Sequence, residues 1–245
     1  MRQVWIQIIL ELKTIRLNRL SIGIGMVALP IAYAMVALLT QASAGVTPSY
    51  ILSGVLIVSL ISSLFSLTIL RVSNIFQPDI LELYAALPIP KPLLLVGSWL
   101  AYILVSIPQA SVVFALSALW APELKLGFSM LALAASYVMI IGVASWLGIT
   151  IRNPYKAQGV ASLVTWLMVL LSPMQPDIHD LPLVLRVVLL SNPTTHAMNL
   201  LRFSLGLEVV APPLASLGFA LSIGLVAFPI VLSAARRATI MEKYF

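Results

Sequence analysis

The 245-residue chain has no cysteine, which excludes disulfides, thiolate metal sites and a cysteine nucleophile. Charge is almost as scarce. Asp, Glu, Lys and Arg make up 9% of residues, where soluble domains carry roughly 25%. No glycine-rich loop ending in Gly-Lys-Ser/Thr occurs, so the chain holds no Walker-type nucleotide site. Its two histidines, His179 and His196, are not a close-spaced ligand pair. Asp177 and Asp180 flank His179, but Asp-rich turns beside proline are common for turn geometry alone. No catalytic or metal site is expected. Charge is also missing from the interior of every long apolar run. The 14 basic and 8 acidic residues all fall in loops, at run ends or in terminal segments. That disfavours ion-coupled carriers, pumps and voltage sensors, whose mechanisms use ionisable groups at membrane depth.

What the chain does have is apolar length. Hydrophobic residues make up 61% and mean hydropathy is +1.07. Six runs, roughly 22–41, 50–70, 93–119, 128–151, 156–173 and 213–235, are each close to the ~20 residues that cross a bilayer. With the N-terminus inside, 11 of the 14 basic residues lie on the cytoplasmic side, leaving Lys125, Arg186 and Arg202 outside. The positive-inside rule expects this bias. The reading is an all-α polytopic protein of the plasma membrane, one transmembrane domain over 1–245, with both termini cytoplasmic. The net charge of +6 is then an orientation signal rather than a nucleic-acid footprint. Ala42-Ser43-Ala44 resembles a signal-peptidase site, but the run before it is longer than an h-region, so the first span is expected to stay uncleaved.

Residues 1–19 precede the spans. Trp5, Ile8, Ile9, Leu12 and Ile15 recur at helical spacing among Gln7, Glu11, Lys13, Arg16 and Arg19. This pattern predicts an amphipathic helix at the membrane surface, its apolar face toward lipid; a cytoplasmic helix packed on protein is the alternative. The third run contains Pro108, a predicted kink, and Gln109 beside it either satisfies a freed carbonyl, the expected role, or touches substrate. In the second run Ser59, Ser62, Ser63 and Ser66 follow i, i+3, i+4, i+7 spacing, one face of a regular helix. They either line a polar pathway or permit close helix packing, and packing is the commoner use of small residues in membranes.

Two connections are long. The cytoplasmic loop 71–92 holds Pro78 followed by Asp79 and Glu82, a favourable helix start, with Ile80, Leu83 and Tyr84 as an apolar set suited to a groove. The extracytoplasmic loop 174–212 contains Leu181–Leu190, too short to span. It continues with Asn192 as cap, Pro193 at the first helical position, a face of Ala197, Leu200, Leu201, Ser204 and Leu205, and Gly206 as stop. Two short helices on or in the outer leaflet are predicted.

The stretch Asn74-Ile75-Phe76-Gln77-Pro78-Asp79-Ile80-Leu81-Glu82-Leu83-Tyr84-Ala85-Ala86-Leu87-Pro88-Ile89-Pro90 resembles the first intracellular loop of type-2 ABC transporter permeases. Ser191-Asn192-Pro193-Thr194-Thr195 followed by Arg202 resembles that family's outer-loop pattern. The order of elements is also similar: interfacial helix, six spans, and two outer helices before the last span. The resemblance implies a permease subunit without catalytic activity, paired with a second permease copy or homologue, in an exporter. Its partner would be a cytoplasmic ABC ATP-binding subunit, which supplies ATP and magnesium and docks on Asp79, Ile80, Glu82, Leu83 and Tyr84. The turn Arg152-Asn153-Pro154-Tyr155-Lys156 is a second contact on this reading. The rival reading is a membrane scaffold or assembly factor that holds partners and moves nothing. Neutral spans suit a lipid, a hydrophobic drug, a peptide or a glycan carrier alike.

Overall fold

The structure, a computed structural model, describes residues 2–17, 47–80, 90–172 and 181–241, with isolated positions between 28 and 39. It is all-helical among the described residues. Helix α1 spans Arg2–Leu17, α2 Pro48–Ile75, α3 Lys91–Leu119 and α4 Leu126–Ile151. Then come α5 (Pro154–Leu170), α6 (Leu183–Ser191), α7 (Pro193–Ser204) and α8 (Pro213–Met241). Four of these, α2, α3, α4 and the Pro213–Arg237 part of α8, are long and apolar enough to cross a membrane. They match four of the six expected spans. The fifth expected span is α5, whose 17 residues rise only about 25 Å. The first, 22–41, lies almost wholly outside the described residues.

The helix starts follow local chemistry. Pro48, Pro154 and Pro193 each occupy a first helical position, where no amide donor is needed and the fixed φ favours the helix. Asn153 Oδ1 accepts from the amides of Tyr155 (3.0 Å) and Lys156 (3.1 Å), capping α5. Asn192 Oδ1 accepts from Thr194 N at 3.2 Å, capping α7. The turn from α4 to α5 needs only Arg152 and Asn153, because Arg152 takes a left-handed conformation (φ 48°). At the other end of α7, Gly206 has φ +69°, and a Cβ there would come within 2.8 Å of Glu123 Cβ.

Central helix α2 is almost wholly buried, from Ser49 to Ile75. It packs on α3, α4, α5 and α7. Small residues set the spacing elsewhere. Gly142 on α4 sits against Gly224 and Ala227 of α8, and a Cβ on Gly224 would reach 2.2 Å from Val138 Cγ1. Such approach maximises dispersion contact where lipid gives no hydrophobic drive between helices. Chain direction alternates, so α1, the Arg71–Ile80 stretch, the start of α3 and the α4–α5 turn share one end of the bundle. The starts of α2 and α8, the Trp120–Lys125 turn, α6 and α7 share the other.

Two features depart from the expectations. Residues Ile61–Phe65 form a π-helical turn inside α2. The extra residue in such a turn displaces everything after it by about a quarter turn, so Ser66 leaves the face that Ser59 and Ser63 share. Helix α3 continues through Pro108, but Gln109 does not serve the freed carbonyl. Its Oε1 and Nε2 are both buried without a hydrogen bond.

Candidate functional site: polar nodes at opposite ends of the bundle

At the α1 end, the buried faces of α1 carry Gln7, Ile8 and Glu11. Gly97 of α3 makes room for them, since a Cβ there would meet Gln7 Cγ at 2.5 Å. Glu11, 2% exposed, gathers donors from three helices on one oxygen. Its Oε1 accepts from Gln7 Nε2 (2.8 Å), Arg71 Nε (2.8 Å), Arg71 Nη2 (2.5 Å) and Ser98 Oγ (2.9 Å). One carboxylate thereby ties α1 to the last turns of α2 and the start of α3. Of the expected interfacial set, Trp5 and Ile9 are exposed, Leu12 is half-buried and Ile8 is buried. Ile6 and Leu10 join the exposed strip. The helix turns Gln7, Ile8 and Glu11 to the protein and much of its apolar side outward, with Gln3, Lys13 and Thr14 exposed as well.

Beyond α2 the chain makes a tight turn at Phe76 and Gln77. Phe76 N bonds Val72 O, Gln77 N bonds Asn74 O and Ile80 N bonds Gln77 O, so α2 runs into a second helical start at Pro78. Asp79 is exposed and Ile80 half-buried; Glu82, Leu83 and Tyr84 lie outside the described residues. At the same end, the α4–α5 turn presents Tyr155, 88% exposed.

In mid-span, Ser59 Oγ donates to Leu56 O and Ser63 Oγ to Ser59 O, each at 2.8 Å. These hydroxyls are taken by their own helix. Ser62 Oγ is buried without a partner, and Ser66 is half-buried. An apolar groove of about 480 Å³ runs between α4 and α8, lined by Val143, Trp146, Ser222, Ile223, Val226, Ala227 and Ile230. Ser222 Oγ donates to Phe219 O, so that hydroxyl can meet a ligand only as an acceptor.

At the other end α7 is buried on nearly every side. Asn199 fixes the turn between α7 and α8. Its Oδ1 accepts from Val210 N (2.7 Å) and Ala211 N (3.3 Å), and its Nδ2 donates to Ala211 O (2.7 Å) and Ser216 Oγ (2.9 Å). His196 stacks on Phe219 with ring centroids 4.2 Å apart. Its Nε2 lies 2.8 Å from Leu190 O and must donate there, which leaves Nδ1 to accept from the Ser216 hydroxyl at 3.1 Å. Burial pushes its pKa below 6.5, opposed by the Leu190 carbonyl, so the ring is neutral and structural. His179 lies outside the described residues. Among the described residues no three His, Asp or Glu side chains converge as a metal site. Met168 O joins α5 to α7 by accepting from Asn192 Nδ2 (2.9 Å) and Thr194 Oγ1 (3.0 Å). Asn199→Ala should lower stability by about 2 kcal/mol, because it strands buried amides. Faster proteolysis within 206–212 checks it.

The charged member of this node is Arg202, 1% exposed. Its guanidinium carbon lies 3.6 Å from the centroid of the Tyr50 ring, and Nη1 donates to Tyr50 Oη at 2.7 Å. Nε and Nη2 have no hydrogen-bond partner. Burial lowers its pKa to about 10, with Tyr50 opposing, so it stays cationic at neutral pH. Neither Glu11 nor Arg202 was marked by sequence pattern as a site residue. The available signal was a charge inside an otherwise packed helical face.

No curated protein sequence matches the chain. The family model described as ABC-2 type transporter matches residues 2–205, from α1 through the end of α7. With that match over most of its length and an apolar helical bundle beneath it, the chain belongs to the ABC-2 type transporter membrane family.

Proposed function

We propose that the chain is the permease subunit of an ATP-driven exporter in the plasma membrane, working as a pair of permeases on separate ATP-binding subunits. The single observation that supports it most, beside the family, is the short hydrogen-bonded turn that links the end of α2 to the Pro78 helix start. A partner pushing on Asp79, Ile80, Glu82, Leu83 and Tyr84 would move α2 as a rod, and through Arg71 and Glu11 it would move α1. ATP with magnesium binds in that partner. Positive-inside charge places both termini and the docking loop in the cytoplasm. A second copy has a suitable surface on α5, which buries only Ala157 and Ala161 and leaves Leu163, Trp166, Leu167 and Leu170 exposed. Because Ser59 and Ser63 bond their own helix, the cargo path is assigned to surfaces between the two copies rather than to a serine-lined channel within one.

The test is co-purification in mild detergent with an ATPase assay. A stoichiometric ATP-binding subunit is expected. Glu82→Ala with Leu83→Ala should abolish its association or its stimulation while the permease stays folded. Recovery of the permease alone under gentle extraction would instead favour the scaffold reading.

A further inference from the structure

Arg202 is the one described side chain that combines a full charge, near-complete burial and unbonded donors on two nitrogens. A guanidinium in this position is normally matched to a carboxylate, because desolvating an ion costs several kcal/mol that pairing must offset. Here the nearest compensation is an aromatic face and one hydroxyl, both from Tyr50. Cation–π contact with a desolvated ring and one charge-assisted bond offset part of that cost. Three N–H groups, one on Nε and two on Nη2, remain dry. The Nη2 side faces Gly54 of α2, where even a Cβ would sit 3.6 Å away. Water reaches them only when α7 moves away from a neighbour, and on this side the neighbour is α2.

We propose that the Arg202–Tyr50 contact is a latch set against its own closure: packing of α7 on the first turns of α2 holds the guanidinium dry, and hydration of its unbonded donors favours parting these two helices. Tyr50 limits that tendency by supplying the contacts that make closure tolerable. The two residues therefore act with opposite sign on one equilibrium. A simple structural clamp would behave differently, because removing either half of a clamp loosens it. The latch rests on the permease reading only for its use as a gate; its existence is a property of this chain alone.

The absence of native cysteine permits a direct test. A single Gly54→Cys reporter, in the full chain in nanodiscs open to reagent on both sides, is labelled with a hydrophilic maleimide over a range of pH, and rates are compared at equal thiolate fraction because Arg202 beside that Cβ favours the thiolate. Ser53→Cys, nearly isosteric and on the same buried turn, replaces it if the first reporter fails to fold. Arg202→Met removes the desolvated charge and should slow labelling about tenfold or more. Tyr50→Phe keeps the ring but removes the acceptor, and should speed labelling about tenfold, the factor that ~1.4 kcal/mol represents. Faster or unchanged labelling in Arg202→Met overturns the latch, as does unchanged or slower labelling in Tyr50→Phe. Neither result bears on ATP-subunit binding, so the permease reading is judged separately by co-purification.

Discussion

Replacing Glu11 by alanine is expected to cost about 3 kcal/mol and to free α1 from the bundle. The reason is asymmetry. A buried ion pair adds little over a well-packed apolar pair, but removing one partner leaves the other desolvated, at about 3–5 kcal/mol. The lower end applies because the Arg71 side chain keeps 20% exposure and can partly rehydrate. Gln7 and Ser98 lose the same acceptor, although Ser98 retains its bond to Leu94 O. The thermal midpoint of the purified protein should fall, and trypsin should cut at Lys13 at a rate that no longer depends on global unfolding. Glu11→Gln keeps an acceptor oxygen and loses the charge, so it should fall between. Pairing Glu11→Ala with Arg71→Met removes the cation that loses its bonds to Glu11 and should recover part of the loss, a coupling that a double-mutant cycle measures. If Glu11→Ala left both readouts unchanged, the carboxylate would not be what holds α1.

That node shows where reading the chain alone stopped. Periodicity predicts an amphipathic helix over 1–19, and residues 2–17 are helical, but a helix's own sequence does not say which face meets protein. The face with Gln7, Ile8 and Glu11 does, because Arg71 and Ser98 on two later helices supply donors for Glu11. Features with a local cause were legible. Asn192 and Pro193 opened α7, Gly206 closed it, and four of the apolar runs became helices of spanning length. Features with a distant cause were not. The serine stripe assumed a regular 3.6-residue period, and the π turn at Ile61–Phe65 broke it. Gln109 was matched to the nearest vacant carbonyl and made no bond. Arg202 counted as an outer-loop cation, yet α2, α4 and α8 surround its helix, and Tyr50 lies far away in sequence.

The two nodes also sit on the same helix. Arg71 closes one end of α2 and Tyr50 the other, and between them the helix is buried almost throughout. A close-packed helix transmits displacement because its neighbours cannot deform continuously. Within the proposed transporter, a push at Pro78 therefore reaches Tyr50 by rigid movement of α2, with the π turn as the place where its register can give.

Gly148 gives the sharpest test of that rod. It lies on α4 where α2 crosses, and a Cβ there would stand 2.8 Å from Val72 Cβ, 2.9 Å from Val72 Cγ1 and 3.0 Å from the backbone oxygen of Ile69. Backbone cannot swing aside as a flexible side chain can. Gly148→Leu should therefore force the helices apart and destabilise by about 3 kcal/mol, the upper part of the range for overpacked sites. For a chain of this size that is about 6–12 °C in thermal midpoint. Gly127→Leu is the control, since nothing lies within 4 Å of a Cβ at that position, and its effect should stay within about 0.5 kcal/mol. Gly148→Ala separates packing from transmission. It inserts one methyl rather than four carbons, so although Val72 and the Ile69 carbonyl must still shift, this variant is expected to fold and keep its partner. Wedging α2 against α4 should nevertheless slow turnover in the assembled transporter, because the wedge presses on α2 at Ile69 and Val72, on either side of Arg71. A folded Gly148→Ala protein with unchanged partner binding and unchanged turnover would mean that α2 does not move against α4 during the cycle.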